Sequence, residues 1–458
     1  MNPKSVRLFL LISFEYLRRN KILFAAGISS IIILAILLIK FSFLFSSNTL
    51  RIGIIGTYQE HDLPEEVTNL LSTTLIKVGE NNKILPNLVS GWETNNDATS
   101  FKFKLKDNIR WADGTILKSS DLELIIPNTV VSFPDDKLIQ FDLKESYSPL
   151  PSLLNKPVFK KGTLIGIGPY KIKTIEKSRI FITKISLEAD DQKLPVISIR
   201  FYPNEKIATT GFNLGEVQVL LGITSPKNIP VNSQIIVKKK TDFSKLVTIL
   251  FQTTDPLLRN RSLRQALAYQ TPKINGEEIA DNPYPPSSWA YNSDSKKYLS
   301  NAKEAGEALE RAKSSIAEDK LGSEIILTAT PNLEEVGNTV AGSWKKLGFD
   351  AKLRIETGIP QNFQALLITQ SIPVDPDQYF LWHATQTKTN LTKYDSKRVD
   401  KDLEDGRKMI AEDERKIKYF DFQKTLLEDA PAVFLYFPKY NIVYLKKVEP
   451  LLNKILSL

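Results

Sequence analysis

Two carboxylates flank a proline at Asp375-Pro376-Asp377, and Tyr379, Trp382 and His383 are among the aromatic side chains that follow. Paired carboxylates this close in sequence can share a proton for acid–base work or hold a cation. The competing reading is a turn or helix start, because Asp caps a first turn and Pro preorganises it. The faces of Tyr379 and Trp382 can hold apolar or cationic ligand groups, while Trp382 equally suits a core and His383 a hydrogen-bonded or surface position. His61 and His383 are the only histidines and there is no cysteine. That excludes disulfides, thiolate nucleophiles, Cys-ligated zinc, iron–sulfur clusters and a His-rich metal site. Ser119 and Ser120 lie in no Gly-x-Ser-x-Gly frame, which leaves a hydrolase without a nucleophile motif. Gly166-Ile167-Gly168 is followed by Pro169 and by no Lys-Ser/Thr, so it is not a phosphate cradle. No cofactor is expected.

The 458 residues suffice for two or three domains. With 42% hydrophobic and 25% charged residues, the bulk of the chain can bury cores. The formal charge of +9 is unevenly spread: residues 1–21 carry +4, Lys40 one more, and 41–458 only +4. No Lys/Arg stripe interleaved with aromatics tracks a phosphate backbone, so nucleic acid is not an expected partner.

Residues 22–39, ILFAAGISSIIILAILLI, are 18 consecutive uncharged positions, and the apolar run resumes past Lys40 through 41–45. At about 1.5 Å per residue the run reaches ~27 Å, or ~36 Å with its extension, which matches a bilayer core. The expectation is one transmembrane anchor over 22–45, with Lys40 snorkelling to the interface. Basic residues crowd 1–21 while the exit is nearly uncharged, which makes 1–21 a cytoplasmic segment and places everything after Ser46 outside. The alternative is a cleaved secretory signal, whose apolar core normally runs about 7–15 residues before a small-x-small site. Residues 6–17, interrupted by Arg7 and Glu15, read as an interfacial helix feeding the anchor.

Beyond the anchor, 51–56 reads as a buried strand and 65–75 as a helix. Phe101-Lys102-Phe103-Lys104-Leu105-Lys106 alternates strictly, the pattern of a half-exposed strand. Strand-like pieces recur at 171–175, 180–185 and 196–202, and Lys238-Lys239-Lys240 suits a solvated strand edge. After about residue 250 the period changes to that of helices. Asn260 can cap 261–269, and Ala302, Ala305, Ala308, Leu309 and Ala312 share a face. A βαβ unit is expected over 324–355, with Asn332 and Glu335 as a capping box and Gly348 as the left-handed stop. Charged helices follow at 399–411 and 412–427, then a buried strand at 432–436. The order predicts a two-lobed α/β architecture: lobe 1 over 49–250, with a subdomain at about 85–162 and completed by 432–458, and lobe 2 over 251–431. The chain would cross between lobes near 246–253 and 431–437, and a hinged cleft is the usual place for a small ligand.

Several motifs in order resemble the oligopeptide- and dipeptide-binding proteins of ABC importers, family 5 of the extracellular solute-binding proteins. They are Pro86-Asn87-Leu88-Val89-Ser90-Gly91-Trp92, Trp111-Ala112-Asp113-Gly114, Gly166-Ile167-Gly168-Pro169-Tyr170, Arg264-Gln265-Ala266-Leu267, Trp344-Lys345-Lys346-Leu347-Gly348, Asp375-Pro376-Asp377, Arg415 with Tyr419 and Gln423, and Glu428-Asp429-Ala430-Pro431. The resemblance covers about residues 50–445. It implies a periplasmic-binding-protein-like fold of type II with an extra subdomain on lobe 1, here preceded by one transmembrane helix. It implies a receptor, not an enzyme, that closes on peptides or similar small solutes and delivers them to an ABC permease with ATPase subunits. It places Tyr379, Trp382, His383 and Asp375 on the cleft side as ligand-binding residues.

This chain departs from the family's pattern in three places. The subdomain is trimmed after Asp121, Lys118 replaces a usual Thr cap, and Ile372 stands where members that grip a peptide amine carry Asp. An apolar side chain cannot bond an ammonium, which motivates an alternative: a degenerate, non-transporting surface sensor or scaffold with the same fold.

Overall fold

Strict alternation in the segment that reads Ser-Phe-Lys-Phe-Lys-Leu buries Phe101, Phe103 and Leu105 and leaves the lysines in water, in a strand observed at Ser100–Leu105. It lies inside an antiparallel sheet of four strands, ordered Val89–Thr94, Ser100–Leu105, Leu138–Leu143, Thr129–Asp135. Phe103 stacks on Trp92 at 5.6 Å and meets the edge of Phe141 at 5.5 Å. This sheet is the subdomain. The computed structural model describes residues 48–230, 232–317 and 322–456. The basic segment 1–21 and the span 22–45 lie outside the described residues; among those described, no helix is long and apolar enough to cross a membrane.

Two larger sheets form the lobes. The first has seven strands, from the edge Ile235–Thr241 through Lys439–Leu445, Val219–Ile223, the central Thr49–Ile55, Val196–Tyr202 and Phe181–Ala189 to the edge Tyr170–Ser178. Within this sheet the central strand alone is flanked on both sides by parallel neighbours, and the other pairings are antiparallel. The lysine run 238–240 does sit on an edge strand and is exposed. The second sheet has six strands, ordered Glu278–Ile279, Ala432–Phe437, Lys245–Phe251, Ala365–Ser371, Glu324–Ala329 and Asp350–Ile355.

Sheet membership moves the expected lobe boundaries. Strands Lys245–Phe251 and Ala432–Phe437 pair with each other and belong to the second sheet, so 245–250 and 432–437 leave lobe 1. The chain crosses at 241–245 and at 437–439, where Asp242 N–H donates to the Pro438 carbonyl at 2.8 Å. Hydrophobicity could not place the crossing, because both strands are buried whichever sheet they join.

In the second lobe, Asn260 caps helix Arg261–Gln270 by accepting Leu263 N–H at 3.0 Å. Helix Glu334–Trp344 packs on it through the buried Trp344, whose indole N–H reaches the Leu267 carbonyl and the Thr271 hydroxyl. Strands Glu324–Ala329 and Asp350–Ile355 are parallel, as a βαβ unit requires, and Gly348 stops the connection at φ 89°. The expected capping box does not form. Residues Pro331–Leu333 make a 3₁₀ turn, the helix starts at Glu334, and no side chain caps it. Pro331 preorganises that turn and displaces the start past Asn332.

Candidate functional site

The segment after strand Ala365–Ser371 carries the four anticipated ligand residues, and the fold gives them unequal tasks. Asp375 Oδ1 accepts the Asp377 N–H at 3.0 Å, and Asp377 Oδ1 accepts the Tyr379 N–H at 3.1 Å, so each aspartate closes a local turn. Arg415 then takes Asp375 in a bidentate grip, 2.6 and 2.9 Å, and donates to Tyr419 at 2.9 Å and to the Gly406 carbonyl at 2.8 Å. Burial alone would lower the Arg415 pKa, yet Asp375 and Tyr419 hold it above its ordinary value. Asp375 therefore has both oxygens engaged inside the lobe. It is an internal brace, and the expectation of a ligand contact there is corrected by the competition of Arg415. Trp382 is likewise in the core at 1% exposure, with its indole N–H donated to Gln378 at 2.8 Å and its ring against Phe434.

His383 is buried between two partners. Its Nδ1 accepts the Thr385 N–H at 3.2 Å, so a neutral ring carries its proton on Nε2 and donates to Glu404 at 3.2 Å. Tyr379 stacks on that ring at 4.0 Å. The half-buried Tyr379 ring also lies 4.0 Å from the guanidinium of Arg407, which donates to Asp377 at 2.7 Å. Burial pushes the Asp377 carboxyl up, with Arg407 pulling against it.

Arg407 reaches across to the first lobe. Its guanidinium lies 5.0 Å from the Tyr147 ring, and its carbonyl accepts the Ser148 N–H at 2.8 Å. Other contacts also join the lobes, among them Trp289 N–H to the Asn81 carbonyl at 3.0 Å, Lys83 to Glu412 at 3.1 Å and Lys439 to the Gly276 carbonyl at 2.6 Å. Arg407 and Tyr147, which meet beside Tyr379 at this seam, were not singled out from the sequence. In a run as charged as 397–418, nothing in spacing tells which arginine turns inward.

A cavity of about 1040 Å³ lies wholly within the first lobe, between the subdomain's loops and the edge strand Tyr170–Ser178. Leu63, Leu124, Ile126, Phe159 and Ile172 line it, together with His61 and Lys156. Its charged walls are largely compensated by the protein: Asp113 pairs with Lys160 at 2.7 Å, Glu60 with Lys177 at 2.8 Å and Lys171 with Asp190 at 2.6 Å. Lys160 and Thr115 hold the Asp113 carboxyl down at about 2. Such a wall suits an apolar guest surface. None of the four anticipated residues lines it. Among the described residues, no cluster of His, Cys, Asp or Glu is placed to hold a metal.

The comparisons with known proteins agree with this geometry. The family model described as bacterial extracellular solute-binding proteins, family 5 Middle, matches residues 83–391. The oligopeptide-binding protein AppA of Bacillus subtilis is 23% identical over 474 residues, spanning 86% of this chain and 85% of its own. Among solved structures, the substrate-binding protein CtaP of a Listeria monocytogenes ABC transporter superimposes with a TM-score of 0.71 at 18% identity, over 87% of this chain and 93% of that one. NikZ of Campylobacter jejuni, in complex with Ni(L-His), gives 0.66 at 21% identity, over 87% and 94%. These structures share the mixed α/β, periplasmic-binding-protein-like fold.

Proposed function

The chain belongs to the bacterial extracellular solute-binding proteins of family 5, and from that premise we propose that it captures a peptide or similar small solute between its lobes and delivers it to an ABC permease with cytoplasmic ATPase subunits. Members of the family are substrate-binding components of transporters and not enzymes. The observation that carries the reading is the connection between the lobes: two separate sheets joined by two short crossings, at 241–245 and 437–439, that are hydrogen-bonded to each other. A paired crossing of this kind bends as a unit and turns guest binding into closure. Backbone hydrogen bonds to an extended peptide supply most of the affinity.

The body works outside the cell, tethered to the cytoplasmic membrane through residues 22–45 with residues 1–21 on the cytoplasmic side. The uncharged 18-residue run and the basic cluster before it support this. Protease protection in spheroplasts, with tags at either end, tests the orientation.

Calorimetry on the purified protein against peptides of graded length, free amino acids, sugars and a nickel–histidine chelate tests capture. Saturable binding of one class, with a thermal shift that grows with its concentration, is expected. No binding across the panel overturns the reading. A second reading, the non-transporting sensor or scaffold, is favoured by Ile372, which is packed into the core of the second lobe where a ligand-facing carboxylate would otherwise stand. Permease and ATPase genes beside this one would argue for transport, and their absence for the sensor.

A further inference from the structure

We propose that the seam between the lobes contains a guanidinium-binding cage, formed by the rings of Tyr147 and Tyr379 and the carboxylate of Asp377, and that the chain fills it with its own Arg407. The first lobe provides Tyr147, and the second provides the other three residues. A planar guanidinium can lie over aromatic faces while its edge bonds a carboxylate, which a compact, strongly hydrated ammonium does not reproduce. The carboxylate is preset for this. Asp377 Oδ1 is occupied by Tyr379 N–H, which leaves Oδ2 aimed at Arg407 at 2.7 Å.

The cage acts as a pin. The Arg407 carbonyl also accepts the Ser148 N–H, so the last turn of helix Lys397–Lys408 holds the 147–148 loop of the first lobe by side chain and backbone together. The grip is incomplete. Arg407 Nε and Ser148 Oγ are buried without a hydrogen-bond partner among the described residues, and opening the seam would return both to water. A contact both favourable and partly unsatisfied makes a reversible catch and not a weld. The pin keeps the lobes together without a guest, and a guest bearing a guanidinium competes with Arg407 for the cage. That last consequence rests on the interlobe reading above; the pin itself does not need a guest.

The absence of cysteine allows two spin labels, at Lys102→Cys in the subdomain and Lys424→Cys in the second lobe, on the full-length protein in mild detergent. Electron–electron distance distributions without any ligand then report the seam. The wild-type background should give mainly a short distance. Arg407→Gln should add a longer population, lowering the closed-to-open ratio about tenfold. Millimolar methylguanidinium should restore the short distance in Arg407→Gln, and Arg407→Lys should close the seam only in part. An unchanged distribution in Arg407→Gln, or no response of its longer population to methylguanidinium, overturns the proposal. If circular dichroism shows Arg407→Gln to be unfolded, Tyr147→Leu is read in its place: a longer population supports the pin, and an unchanged one overturns it. Failure to bind any solute in calorimetry would leave these distances unaffected, so the two readings fail separately.

Discussion

The guanidinium of Arg264 donates to the backbone carbonyl of Asp429 at 2.6 Å, across 165 positions of sequence. It also reaches the carbonyls of Ala430 at 3.1 Å and Leu258 at 2.8 Å, while Gln265 takes the carbonyl of Glu428 at 2.7 Å. Helix Glu412–Asp429 thus ends on a buried cation, with its last carbonyls satisfied and its dipole complemented. Two motifs that look separate in the sequence are one bracket. The same holds for Asp375 and Arg415.

Replacing Arg264 by Met should destabilise the protein by about 3 kcal/mol, because several buried carbonyls lose their donor at once. Arg264→Lys should recover only part, since an ammonium cannot span them. Urea unfolding of both variants checks this; a Met variant within about 0.5 kcal/mol of wild type would show that the bracket contributes nothing.

Gly168 tells a similar story by contact. A Cβ there would stand 2.5 Å from the Leu70 carbonyl oxygen, and one on Gly166 would fall inside van der Waals contact of the Leu71 carbonyl. Gly168→Ala should cost about 1–3 kcal/mol, as overpacking against backbone does. Gly306, inside helix Ala302–Lys313, has nothing near its missing Cβ, so Gly306→Ala should raise stability by about 0.4–1 kcal/mol. Opposite shifts in melting temperature are expected, and equal ones would refute the contact argument.

Asp402, 6% exposed, has Oδ2 unpartnered among the described residues. Burial lifts its pKa from 3.8 to about 6; Asp421 and Asp405 add to this, and Lys418 and Arg398 oppose it. A carboxyl with a raised native pKa holds its proton more tightly when folded, so stability falls as pH rises from about 4 to 6. Asp402→Asn should therefore match wild type near pH 4 and exceed it by about 1–2 kcal/mol near pH 7. Denaturant melts at the two pH values decide, and a pH-independent difference would exclude the titration of this group.

Ile372 is 8% exposed within the core of the second lobe, and its N–H donates to the Ser244 carbonyl at 2.7 Å, beside a lobe crossing. Installing an aspartate there should not create an amine-binding site. Ile372→Asp should instead lose roughly 3–5 kcal/mol through an uncompensated buried charge, with Ile372→Val costing about 1 kcal/mol. A stable Asp variant that gains affinity for free peptide amines would reverse this view of the position.

Much of the fold was legible because it rests on local periodicity. Phe101, Phe103 and Leu105 alternate, Asn260 and Asn301 precede helical stripes, and Gly348 follows one; each constraint acts within a few residues. The βαβ unit at 324–355 followed from such signals, and its capping box failed because Pro331 imposed a different first turn. The candidate site was only half legible. All four residues were assigned a guest's surface as neighbours in the chain, and Asp375, Trp382 and His383 are buried with partners inside the lobe while Tyr379 is half-buried at the seam.

By itself the amino-acid sequence determined the α/β character, the succession of elements, the missing thiol chemistry, and the motifs that mark the family. Which strands share a sheet, where the chain crosses between lobes, and which of many arginines turns inward to Asp375, Asp377 or the end of a helix were decided only in three dimensions. Periodicity records a residue's distance from water, and every buried strand or charged helix face satisfies it equally. The choice of partner depends on the geometry of groups brought together from 30 to 165 positions away, which spacing along the chain does not record.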